Sequence, residues 1–306
     1  MILKFSNNLD KLDIYANGKE LATILAQDIV DGKRVYSYDE NVSKFVVSIK
    51  NPVLVTDVYE INKLYPTLRD TVHALYSQAI KITEYAGIAF RFEQKKYPSV
   101  WGPSIDTLLF AKNLNKIDFK NIKTVLEIGT GSGFLSKYIL EKNKGLKEVH
   151  VIDINKEAIQ CAKEQIKDKR AKFYCGDGLG YLKNKKFDLI ICNPPYIPRP
   201  KSIDDNPYEG ISLLVDLLIN SKKYLNARGV LMTNISSLCS RVISKVLDKE
   251  NIKIDYLEEM KVPLKVFNVI NNKKWISYLK NKKGFAVGNN SGYEFWHSIN
   301  IVSLKS

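Results

Sequence analysis

The spacing of apolar residues changes character along the chain. Near the N-terminus it alternates: Leu12-Asp13-Ile14-Tyr15 is followed by Asn17-Gly18, a hairpin dipeptide, and a second short strand can follow. Residues 44–49 and 52–58 predict two more strands. From Pro66 the period lengthens, with Leu68, Val72, Leu75, Ala79 and Ile82 at three- and four-residue steps. That spacing predicts a helix with Pro66 in its first turn. After Ser104, a suitable N-cap, strands and helices take turns. Strands are expected at Thr124–Ile128, 148–152, Ala171–Cys175, Phe187–Cys192, 229–235, 252–260 and 299–304. Helices are expected from Ile105 and Phe134, and over Ile211–Tyr224 and 238–249. Such alternation builds an open α/β sheet.

At 306 residues the chain has room for two modest domains. Residues 95–104, with two prolines, a glycine and two lysines, mark the boundary. The expected organisation is a small α/β or α+β domain over 1–97 and a larger α/β domain over 98–306. An insertion at 261–296 is longer than a hairpin needs. The first domain holds no catalytic constellation and reads as a packing or substrate-docking module.

The chemistry concentrates where strands of the second domain end. Thr-Val-Leu-Glu-Ile runs into Gly129, Gly131 and Gly133, and a helical pattern starts at Phe134. Strand, glycine turn and helix make the opening of a nucleotide-binding α/β sheet, because glycine lets the backbone turn sharply and approach a ligand. The dinucleotide fingerprint wants Gly or Ala where Phe134 stands, and Glu127 before the glycines is foreign to it. Asp153 ends the next strand, where a carboxylate can accept hydrogen bonds from a ribose diol. Asp177 follows the third strand, and Asn193-Pro194-Pro195-Tyr196 follows the fourth.

Val-Leu-Glu-Ile-Gly-Thr-Gly-Ser-Gly resembles the first motif of the class I S-adenosylmethionine-dependent methyltransferases, and the order of the other features agrees. The resemblance covers about two thirds of the chain and implies a Rossmann-like seven-stranded mixed sheet. It implies S-adenosylmethionine as cofactor, surrounded by Glu127, Gly129, Gly131, Gly133, Asp153 and Asp177, the last beside the adenine. Pro103-Ser104-Ile105-Asp106-Thr107 resembles the segment that lines the cofactor pocket of HemK-type methyltransferases, which adds Thr107 to that set, and Asn193 of the motif after the fourth strand completes it.

Asn193-Pro194-Pro195-Tyr196-Ile197-Pro198 resembles the HemK group in particular, the release-factor glutamine methyltransferases. A carboxamide or exocyclic amine is a poor nucleophile because its lone pair is delocalised. The side-chain oxygen of Asn193 and the carbonyl of Pro194 can take its two N–H hydrogens and localise that pair. The prolines have no N–H to compete and stiffen the loop. Tyr196 can stack on the planar group. Asn193, Pro194 and Tyr196 are therefore the expected catalytic residues; no general base is needed, and no histidine is expected near the motif. Three departures from the HemK pattern stand out. The first residues read as strand rather than a helical bundle. Thr233-Asn234-Ile235 stands where an acid is usual. The insertion at 261–296 is additional.

Net charge is +14, of which residues 1–100 contribute +1. Residues 261–306 carry eight lysines against Glu294 alone. Trp275, Ile276, Tyr278 and Leu279 can form one face of a helix there, with Lys273, Lys274, Lys280 and Lys283 outside. The excess suits an acidic partner such as RNA, although Lys outnumbers Arg 40 to 7, a bias that genome composition can also produce. Cys161, Cys175, Cys192 and Cys239 form no C-x-x-C pair and read as small buried hydrophobes; His73, His150 and His297 lack metal-ligand spacing. No metal, no membrane segment and a cytoplasmic location are expected. Two substrates fit, a glutamine amide of a translation protein or an exocyclic amine of ribosomal or transfer RNA. A third reading is a non-catalytic S-adenosylmethionine-binding or RNA-binding module, against which the intact Asn-Pro-Pro-Tyr argues.

Overall fold

The computed structural model describes residues 2–16, 19–25, 36–37, 45–48, 52–55, 80–200, 210–264, 266–282, 284–287 and 294–306. They fall into two compact units, Met1–Pro98 with Gly288–Glu294, and Ser99–Val287 with Phe295–Ser306. Among the described residues no helix is long and apolar enough to cross a membrane.

The first unit is a sheet of β1 (Ile2–Phe5), β2 (Lys11–Ala16), β3 (Lys19–Leu25), β4 (Tyr36–Ser37), β7 (Ile80–Tyr85) and β8 (Ile88–Glu93), with a separate hairpin of β5 (Phe45–Ser48) and β6 (Pro52–Val55). The sheet order is β4-β3-β2-β1-β7-β8. β2 and β3 pair antiparallel across the expected Asn17-Gly18 turn, which itself lies outside the described residues. β7 and β8 are joined by Ala86-Gly87, both at positive φ, the geometry a two-residue hairpin needs. Leu3, Phe5, Ile14, Tyr85, Phe90 and Phe92 form its core.

The expected helix from Pro66 lies outside the described residues except at its end, and there it is corrected: Ile80 and Ile82 are on β7. Three of the four residues Ile80-Lys81-Ile82-Thr83 are β-branched, and pairing with β1 and β8 decides in favour of the strand. The inward positions are Lys81, Thr83 and Tyr85, not the isoleucines. Burial lowers the Lys81 amine to about 8.

The second unit starts with α1 (Ile105–Leu114) and a short 3-10 turn, Phe119–Asn121. Then follow β9 (Thr124–Ile128), α2 (Phe134–Lys142), β10 (Glu148–Asp153), α3 (Lys156–Gln165), β11 (Ala171–Cys175), α4 (Gly178–Leu182) and β12 (Phe187–Cys192). The remainder is α5 (Ile211–Tyr224), β13 (Leu225–Ser236), α6 (Ser240–Lys249), β14 (Asp255–Pro263), α7 (Phe267–Ile270), α8 (Lys273–Asn281), β15 (Ala286–Val287) and β16 (Phe295–Lys305).

Seven strands line up as β11-β10-β9-β12-β13-β16-β14, and the two-residue β15 pairs with β16. β9 to β13 run parallel and β16 antiparallel, which is the expected Rossmann-like mixed sheet. The chain winds outward from β9 to β11 and then returns to place β12 on the other side of β9. The order therefore reverses between β9 and β12, the position where open α/β sheets receive ligands. β12 is buried along nearly its whole length, as a central parallel strand must be. The insertion is shorter than expected at both ends, because β14 continues to Pro263 and β16 starts at Phe295. α8 buries Trp275, Ile276 and Leu279 and leaves Lys273, Lys274 and Lys280 exposed, while Lys265 and Lys283 lie outside the described residues. Cys161, Cys192 and Cys239 are buried; Cys175, at the end of edge strand β11, is exposed, contrary to expectation.

Candidate active site

The expected residues of the second unit gather at one rim, the carboxyl ends of β9 to β12. Gly129, Gly131 and Gly133 all lie at positive φ (+73°, +54° and +91°). A Cβ at Gly131 would stand 3.3 Å from the Trp101 carbonyl, and one at Gly133 2.8 Å from the Ala162 Cβ. At Gly129 it would enter open space, so this glycine leaves a cradle on the outer side of the loop.

The loop is tied down from within. The N–H groups of Gly129 and Thr130 both donate to the Ile152 carbonyl, at 2.8 and 3.0 Å. Beneath it, Glu127 Oε2 accepts from Thr130 Oγ1 at 2.8 Å, from the Ser136 N–H at 3.1 Å and from the Ser136 hydroxyl. Burial raises the Glu127 carboxyl to about 7 despite these donors. Glu127 is thus a brace joining strand, loop and helix.

Asp153 stands at the rim. Its Oδ2 accepts from the Gly131 N–H at 2.9 Å and its Oδ1 from the Asn155 N–H at 2.8 Å. The Ile154 N–H is a third donor to this carboxyl, which as a carboxylate has about four acceptor sites and so keeps room for a ligand hydroxyl; the half-buried group is raised above its ordinary value by desolvation. Asp177 is exposed and caps α4, accepting from the N–H groups of Leu179 (3.3 Å) and Gly180 (2.6 Å). An open glycine cradle with a carboxylate on its rim fits a ligand that carries a ribose.

Cys192 pairs with Ile128 in register, so Asn193 follows β12 alongside the start of the glycine loop. Asn193 Nδ2 donates to Asp106 Oδ2 at 3.4 Å, which joins α1 to the motif. The other Asp106 oxygen accepts from the Ser104 hydroxyl, and Thr107 Oγ1 accepts from the Ser104 N–H at 3.4 Å. On the far side, Asn234 Nδ2 donates to Asn193 Oδ1. Pro194 is buried and Tyr196 half-buried, its phenol pushed well above the ordinary value by desolvation.

Three features here were not read from sequence. Trp275 Nε1 on α8 donates to the Pro198 carbonyl at 2.8 Å, and Ile197 packs with Leu264, Val269, Ile276, Leu279 and Phe295, so the insertion braces the motif. The expectation that no histidine stands near the motif is corrected. Buried His297 lies 5.5 Å from Tyr196, ring centre to ring centre, and its Nδ1 is 3.0 Å from Ser236 Oγ. The contacts of Asn234 and Asp106 with Asn193 are the third feature; Asn in place of the usual acid singles out the first, and the likeness of residues 103–107 to a pocket-lining segment the second, but neither signal gives the contact.

The Methyltransferase small domain family matches residues 103–253. A Methanocaldococcus jannaschii protein assigned as a protein N5-glutamine methyltransferase is 35% identical over 190 residues, 58% of this chain and 93% of that one. The ribosomal protein L11 methyltransferase of Fusobacterium nucleatum is 30% identical over 262 residues, 84% of this chain and 70% of that one. A tRNA1(Val) (adenine(37)-N6)-methyltransferase of Actinobacillus pleuropneumoniae is 27% identical over 122 residues, 37% of this chain and 51% of that one.

Proposed function

Because the chain belongs to the class I S-adenosylmethionine-dependent methyltransferases, in their HemK-like group, we propose that it methylates the side-chain amide nitrogen of a glutamine in a translation protein such as a release factor. The observation that carries this reading is the pairing of Cys192 with Ile128, which sets Asn193-Pro194-Pro195-Tyr196 directly beside the glycine loop. S-adenosylmethionine supplies an electrophilic sulfonium methyl when bound. In this reading Gly129, Gly131 and Gly133 admit it, Asp153 takes the ribose hydroxyls, Asp177 lies by the adenine, and Glu127 and Thr107 shape the pocket.

Asn193 Oδ1 and the Pro194 carbonyl accept hydrogen bonds from the two amide N–H groups, Tyr196 covers the flat face of the group, and as the nitrogen gains the methyl one of its protons leaves to solvent. A carbonyl oxygen has two lone pairs, so the bond from Asn234 leaves Asn193 Oδ1 able to accept a second hydrogen. Holding nitrogen and methyl in line supplies much of the rate. Tyr196 stays a neutral phenol, consistent with stacking rather than proton transfer.

A protein substrate is favoured by the extent of the likeness. The match to the L11 methyltransferase is longer than the catalytic unit and so extends into residues 1–97, the docking module in this reading. Such an enzyme works in the cytoplasm. The second reading, an exocyclic amine of ribosomal or transfer RNA, draws on the tRNA methyltransferase likeness and on the exposed lysines of α8. Tritiated methyl transfer from S-adenosylmethionine to a total lysate, divided by protease and nuclease, separates the two. Label lost to protease and kept through nuclease supports the glutamine reading, and the opposite result overturns it.

A further inference from the structure

We infer that Asp106 and Asn234 are positioning residues that set which way round the Asn193 side-chain amide stands. The inference rests on the reading that Asn193 Oδ1 accepts from the substrate nitrogen. A primary amide fits its pocket equally well in two orientations exchanged by a half-turn, with oxygen and nitrogen swapped. Only one of them presents an acceptor where the substrate N–H arrives.

Here both neighbours choose the same orientation. Asp106 accepts through both oxygens, from the Ser104 hydroxyl at Oδ1 and from Asn193 at Oδ2, so the Asn193 atom 3.4 Å from Oδ2 is the nitrogen. The Ser104 hydroxyl donates to the other Asp106 oxygen and holds that carboxylate in place. On β13, Asn234 turns its own nitrogen toward Asn193 Oδ1. Reversing Asn193 would set oxygen against carboxylate on one side and N–H against N–H on the other.

Asn234 bears a cost for this arrangement. It is fully buried, and its Oδ1 has no hydrogen-bond partner among the described residues. Leaving a buried acceptor unpaired costs about 1–3 kcal/mol. Turning the Asn234 amide round would not serve, because its oxygen would then oppose Asn193 Oδ1. A buried orphan of this kind calls for an explanation, and service to Asn193 supplies one. An acid at position 234 would face Asn193 Oδ1 with lone pairs alone. With Asp106 already taking the nitrogen, this chain needs a donor on β13, and it has one.

The test exchanges the two polarities. Asp106→Asn with Asn234→Asp keeps the net charge and allows both hydrogen bonds, but stabilises Asn193 the other way round. The assay is tritium transfer from S-adenosylmethionine into protease-sensitive lysate material. We expect kcat to fall roughly a hundredfold, the loss typical of one misplaced transition-state partner, with KM and S-adenosylmethionine affinity unchanged. Parent-like kcat in the exchanged variant overturns the inference. Should that variant fail to fold, Asn234→Leu, close in shape, gives the same decision: a roughly tenfold loss of kcat at constant KM supports it, and no loss sinks it.

Two further measurements keep the outcomes apart. Asn193→Ala with full turnover refutes the underlying reading, whereas inactive Asn193→Ala beside a fully active exchanged variant refutes only the positioning. The Asn193 side-chain amide signals, identified by their loss in Asn193→Ala, must also shift in Asp106→Asn; unshifted signals contradict the contact without any turnover being measured.

Discussion

Gly210 and Pro195 meet so closely that a Cβ on Gly210 would stand 1.8 Å from the Pro195 carbonyl oxygen and 3.0 Å from the Pro194 Cβ. Backbone strain is not the issue, since Gly210 has φ −132°. The constraint is space: α5 starts on the back of the motif that is proposed to grip the substrate. Gly210→Ala must push Pro194-Pro195 outward, since a rigid diproline cannot yield locally. The expected outcome is a loss of about 1–3 kcal/mol in stability and a larger loss in kcat, with S-adenosylmethionine affinity kept. Thermal melts and calorimetry check it.

Asp153 is proposed to hold the ribose through the acceptor capacity that the N–H groups of Gly131, Asn155 and Ile154 leave on its carboxyl. Asp153→Ala should weaken S-adenosylmethionine binding by about 1–3 kcal/mol, roughly 5- to 150-fold. It also removes the acceptor of the Gly131 N–H, so part of the loss is loop order. Calorimetry decides, and unchanged affinity would place the ribose elsewhere.

Glu127 imposes a pH dependence on stability. Its carboxyl is raised in the folded protein from 4.5 to about 7, so between those values the native state binds more protons than the unfolded chain. Stability from this group is therefore complete below about pH 4.5 and is lost as pH rises through about 7, by about 3 kcal/mol in all. Glu127→Gln cannot titrate. Its melting temperature relative to the parent should rise between pH 5 and pH 7.5 (a span of roughly the same window); a constant difference across that range would show that Glu127 is ionised throughout.

The second unit has its own core, from Val125 and Leu126 to Ile190 and Leu217. A truncation beginning at Tyr97 should therefore bind S-adenosylmethionine as the parent does and lose transfer to the macromolecule. Full transfer without residues 1–96 would remove the docking role.

The lysines of α8 separate the two substrate readings. Lys273, Lys274 and Lys280 are exposed, and Lys280 and Lys282 also lie over the rings of Phe295 and Tyr278, at 5.7 and 5.1 Å. On the protein-substrate reading, changing Lys273, Lys274, Lys280 and Lys282 to Gln leaves the salt dependence of substrate binding as it was. A log–log salt slope flattened by about 0.9 for each phosphate no longer neutralised would favour the nucleic-acid reading.

Much of the site was legible in sequence because its parts are local. Glycines at 129, 131 and 133, an acid closing a β-branched run at 153, and Asn-Pro-Pro-Tyr after a buried strand each report backbone chemistry within a few residues. Their order also implied a parallel sheet, and with it their meeting at one rim. Local pattern failed where two periods overlapped. Ile82 continues a helical spacing and also lies in an alternating run, and only its partners in β1 and β8 decide for the strand.

What tertiary structure alone decided are contacts between residues far apart in sequence. Asp106 and Asn193 are 87 positions apart, Trp275 and Pro198 77, Asn234 and Asn193 41. Each residue by itself has an ordinary reading: a first-turn acid, an apolar helix face, a polar residue late in a strand. Side-chain type and spacing carry a strand's direction and a loop's freedom, which is why they point to the glycine loop and to the Asn-Pro-Pro-Tyr turn after β12. The orientation of the Asn193 amide depends on which atom a distant neighbour offers, and that is settled only when β12, β13 and α1 are brought together.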